Sequence, residues 1–134
     1  MIWSQSRGAL ETVEGVFLGQ GYSGAGWPGE KDAGRNNPAR EGEKDVGPIP
    51  QGNWRIEKVA DEKYRGRLTP PVFRLVPQND GTLARVKAMG RNPDAFFVRG
   101  ENVEDPGCDG FIVLDYTTRA GLRLQRGAVI RIDK

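Results

Sequence analysis

The chain contains no histidine and a single cysteine, Cys108, and no apolar stretch approaches the length of a membrane span. Without an imidazole, Ser-His-Asp and Cys-His catalysis in their usual forms are excluded, because no other side chain ordinarily titrates near neutrality. A zinc site would have to be built from carboxylates and one thiol, against the Cys and His sets that structural zinc prefers. One cysteine cannot close an internal disulfide, so nothing ties maturation to an oxidising compartment. The opening "MIWSQSRGALETVEG" has no apolar core of signal-peptide length, which gives an expectation of synthesis in the cytoplasm, other means of export being needed for work outside it. Membrane insertion is not expected either. Charge of one sign is also missing: 20 Lys and Arg stand against 18 Asp and Glu, interspersed, for a formal net charge of +2. No basic stripe marks nucleic acid as a partner.

What is present is a turn-rich globular composition, with 19 glycines and 9 prolines in 134 residues, which favours short strands over long helices. The length suits one domain over residues 1–134. Apolar residues recur with a period of two. In "GNWRIEKVA", Trp54, Ile56 and Lys58 share one face of a strand, and "PVFRLV" (71–76) and "FFVRG" (96–100) behave alike. "FIVLD" (111–115) is continuously apolar and reads as a more central strand. In "AVIRID", Ala128, Ile130 and Ile132 fall on one side. A short helix is expected after Thr117 or Thr118, weakened by Gly121. Residues 21–45 and 77–95 read as long irregular loops, suited either to function or to solvated insertion. The expected fold is mainly β, a sandwich or barrel with long loops and at most one or two short helices.

Two nucleotide-like and nucleophile-like patterns fail on inspection. "GQGYSG" (19–24) matches a dinucleotide fingerprint, but "AGWPG" after it cannot open the required helix. "GYSGA" approaches a nucleophile elbow, yet Ala25 replaces the last glycine and no histidine exists to activate Ser23. Glu101, Glu104, Asp105 and Asp109 cluster around the cysteine, but their spacing matches no EF-hand loop and reads as a solvated acidic loop. Neither metal nor cofactor is expected.

Seven segments occur in a recognisable order: "SQSRGAL" (4–10), "GYSGAG" (21–26), "RNNP" (35–38), "VGPIPQGNWRI" (46–56), "GR" (90–91), "FFVRGEN" (96–102) and "GFIVLDYTTR" (110–119). In this the chain resembles L,D-transpeptidase-like domains of the kind found in type VI secretion effectors and related phage-encoded proteins. The most specific element is "GPIPQGNWRI", in which Pro48 and Pro50 fix a turn feeding the strand at Trp54. The resemblance implies a β-rich catalytic fold acting on the stem peptides of bacterial peptidoglycan through a cysteine thiolate. It also leaves open later delivery to the periplasm or a place in a phage particle.

That family has His-Gly at the end of one strand and Ser-x-Gly-Cys at the start of the next. Here the matching residues are Arg99-Gly100 and Cys108-Asp109-Gly110-Phe111, so arginine stands in the histidine place and phenylalanine in the cysteine place. Arginine neither accepts nor donates a proton near neutrality, although its guanidinium suits a bidentate grip on a carboxylate. Cys108 would be a nucleophile only if Arg99 lowered its pKa, and a lone thiol is more often inert packing. Tyr22, Ser23 and Trp27 either line a groove or close their loop on the domain. Arg119 and Arg91 either orient a loop or bind an anion, with a plain surface arginine the favoured reading. The expectation is therefore a domain with no surviving catalytic residue, binding a stem peptide or a bacterial or phage protein partner through Arg99, Gly100, Cys108, Asp109, Gly110, Tyr22, Ser23 and Arg119. The alternatives are an enzyme relying on Cys108 and Arg99, and a structural or interaction protein of a phage or secretion apparatus.

Overall fold

The computed structural model describes residues 1–25, 33–58, 71–100, 111–122 and 127–134. They form a closed barrel of eight strands: β1 (Ile2–Ser4), β2 (Ala9–Glu11), β3 (Phe17–Ser23), β4 (Gly52–Lys58), β5 (Phe73–Pro77), β6 (Phe97–Arg99), β7 (Ile112–Leu114) and β8 (Val129–Asp133). Around the barrel the order is β1-β2-β3-β7-β6-β5-β4-β8. Parallel pairing of β8 with β1 closes it, with Trp3 opposite Ile132, and β6 and β7 are also parallel. The remaining pairs are antiparallel. The mainly-β architecture matches the sequence reading, in its barrel form.

Alternation decides which residues fill the interior. Trp54 and Ile56 of β4, Phe73 and Leu75 of β5, and Ile130 and Ile132 of β8 are buried in one cluster, while Arg55, Arg74 and Arg131 between them turn outward into ion pairs. Ala128 packs against the same cluster. All three residues of β7 are buried, as its uninterrupted apolar run implies. Trp54 meets Phe96 edge-on with ring centroids 5.0 Å apart, and its indole N–H donates to the Pro50 carbonyl at 3.1 Å. Each such large side chain contributes about 1.5–3 kcal/mol by leaving water. The bond to Pro50 also ties the proline turn to the core.

Among the described residues two α-helices and one 3₁₀ turn accompany the barrel, and two of these three elements lie where irregular loops are expected. Within 77–95, α1 (Asp80–Ala88) packs on β4 and β5. Asn79 caps it by accepting from the Thr82 amide at 2.8 Å, and Gly90, at φ +76°, ends it. Only Thr82 and Val86 of this helix are buried, so it carries no apolar stripe for a periodicity argument to find. Within 21–45, residues 21–23 complete β3 and Pro38–Arg40 form the 3₁₀ turn. The second helix, α2 (Tyr116–Leu122), begins earlier than the threonines suggest. Its capping group is Asp115, whose carboxylate accepts from the Thr118 amide at 2.8 Å. No helix among the described residues is long and apolar enough to cross a membrane.

Candidate functional site

The strand register places three residues in one row across the outside of the barrel. Tyr22 of β3 is opposite Val113 of β7, and Val113 is opposite Arg99 of β6. Directly paired residues share a face. The neighbouring row, Ser23, Ile112 and Val98, is buried and faces inward, with Ile112 and Val98 part of the core. The row of Tyr22, Val113 and Arg99 therefore lies on the outer surface of the β3-β7-β6 wall.

Phe111 sits beside this row. The Arg99 guanidinium carbon stands 4.9 Å from the Phe111 ring centroid, and Phe97 meets the same ring edge-on at 5.4 Å. At the other end of the row, the Arg35 guanidinium lies over the Tyr22 ring at 3.8 Å. Arg35, part of the "RNNP" segment, was not singled out by the sequence reading, and a lone arginine in a loop gives no signal of its stacking partner. Arg99 is 1% exposed, so its charge is covered rather than displayed.

Gly100 follows Arg99 and borders Arg119. A Cβ on Gly100 would lie 2.6 Å from an Nη atom of Arg119, so the guanidinium occupies the space that a side chain would take. The expectation of a surface position for Arg119 is overturned: it is 3% exposed and donates from Nε to the carbonyls of Leu114 at 3.0 Å and Asp115 at 3.3 Å, and from Nη1 to that of Pro71 at 3.0 Å. Burial lowers its pKa, with nearby Asp115 and Tyr116 acting in the opposite sense. Arg91 corrects the same expectation. At 4% exposure it donates to the carbonyls of Glu41, Pro48 and Gly47 at 2.7, 2.6 and 3.3 Å, and its guanidinium carbon lies 5.0 Å from the Phe96 ring centroid. Both guanidinium groups are held by backbone carbonyls in the interior.

Ser23 is likewise corrected as a groove residue. It is fully buried and its hydroxyl accepts from the Ile49 amide at 2.9 Å. Asn36 holds its backbone from both sides: the Asn36 carboxamide oxygen accepts from the Ser23 amide at 2.9 Å, and the Asn36 amide donates to the Ser23 carbonyl at 2.8 Å. Gln5 donates from Nε2 to Glu41 at 2.7 Å and to the Ile49 carbonyl at 2.9 Å. The segments "SQSRGAL", "GYSGAG", "RNNP", "VGPIPQGNWRI" and "GR" thus meet in one hydrogen-bonded scaffold around Ile49. Glu41, which no sequence motif flagged, joins it by accepting from the Gln51 amide and Nε2 at 3.2 Å each, and from Arg85.

Of the other expected residues, Tyr22 is partly buried under Arg35, while Cys108, Asp109, Gly110 and Trp27 lie outside the described residues, as do Glu101, Glu104 and Asp105. Among the described residues no group of three acidic or thiol side chains is poised to hold a metal ion. A scan of family models, a search of curated proteins and a search of solved structures each found no match to this chain.

Proposed function

We propose that this protein is a catalytically degenerate L,D-transpeptidase-like domain, binding a peptidoglycan stem peptide or a protein partner without processing it. The observation that carries this reading is the contact between Arg99 and Phe111. By the resemblance, these two positions are the places of the base and the nucleophile, and in the barrel they are neighbours. They hold a cation and an aromatic ring, a pair worth about 0.5–2 kcal/mol of attraction. Neither member accepts a proton near neutrality, and neither attacks a carbonyl. Further support comes from the scaffold around Ile49: the segments that carry the resemblance hold the backbone together, so they retain a purpose after the chemistry is lost.

The burial of Arg99 favours the protein partner over a carboxylate gripped by its guanidinium, since a ligand would have to displace whatever covers the charge. The exposed approach to the row is then from the Tyr22 and Arg35 side, where both residues retain partial exposure.

The test is incubation with a disaccharide tetrapeptide, read by mass spectrometry for altered muropeptide and for an acyl adduct on Cys108. The expected result is neither, even at high protein concentration. Saturable binding of the tetrapeptide that shifts the Tyr22 and Arg35 resonances supports the stem-peptide form, and no binding supports the partner form. An adduct on Cys108, abolished by Cys108→Ser, or release of a D-amino acid overturns the reading.

A further inference from the structure

We draw no further inference here: the strongest candidate, the exposed apolar surface of Val13, Val16, Phe17 and Leu18 on the β2-β3 turn with the groove between that turn and α2, carries nothing because nothing in the structure shows what covers it.

Discussion

The Ser23 hydroxyl accepts the Ile49 amide proton at 2.9 Å in the interior, between residues 26 positions apart. One side chain thereby joins the end of β3 to the proline turn that leads into β4.

Removing that oxygen leaves a buried N–H without an acceptor, so Ser23→Ala is expected to lower the free energy of unfolding by about 1–3 kcal/mol. Urea titration measures it. Ser6→Ala removes an exposed hydroxyl that donates to the Lys134 carbonyl at 2.8 Å and serves as the control, with an expected change within about 0.5 kcal/mol.

Glu41 should give the stability an acid limb. Burial alone raises its pKa, but hydrogen bonds from Gln5, Arg85 and Gln51 outweigh burial and hold it below its ordinary value of 4.5. A carboxylate lowered on folding stabilises fully above the unfolded pKa, and that stability drains away as pH falls through the folded one. Unfolding free energy should therefore decline from about pH 5 downward. Glu41→Gln should flatten this limb and lose about 1–3 kcal/mol at pH 7, as judged by denaturation at a series of pH values.

Gly100→Ala tests the packing beside the candidate site. The added methyl would meet Arg119 at 2.6 Å from Nη2 and 2.9 Å from Cζ. The guanidinium is held by the Pro71 and Leu114 carbonyls and cannot simply swing away. A loss of about 1–3 kcal/mol is expected by thermal or urea unfolding. Gly42→Ala, where an added Cβ meets nothing within 4 Å, should stay near neutral.

The adjacency of positions 99 and 111 predicts that a paired thiol and base can be installed there. Phe111→Cys alone should give a thiol near Arg99, and combining it with Arg99→His should place a base within reach. Iodoacetamide labelling followed across pH is expected to show a thiol pKa below about 8.5 in both variants. Only the double variant should show an added dependence in the imidazole range, near pH 6–7. Equal profiles for the two variants would separate these side chains and remove the main support for the degenerate-site reading.

Five of the eight strands were legible, β4, β5, β6 and β8 from alternation that runs through or past the strand and β7 from an unbroken apolar run. Trp54 and Ile56, Phe73 and Leu75, and Ile130 and Ile132 each announce an inward face. The pairing of β1 and β2, of three residues apiece, is fixed by partners at the far end of the chain or across a turn, which no local pattern announces. Helix α1 had end signals in Asn79 and Gly90 but no apolar stripe between them. Arg91 and Arg119 were misplaced because arginine is usually exposed, and carbonyls distant in sequence, those of Pro48 and Pro71, help to hold them in the interior. At the candidate site, Arg99 and Phe111 were singled out by the resemblance and by the order of segments alone. That the two residues touch, and that Arg35 covers Tyr22, are facts of strand register and loop closure.

Closure by β1 and β8 also sets an order of events during synthesis. Ile2 pairs with Arg131, so the first strand emerges long before its neighbour exists, and β4 must likewise wait for Ile130 to cover Trp54. Until then the nascent sheet keeps two open edges at β1 and β4, which are sticky toward other chains. The last strand both completes the core and removes those edges in a single step, so full burial and protection from aggregation should arrive together, late and slowly, as expected for a fold dominated by distant contacts.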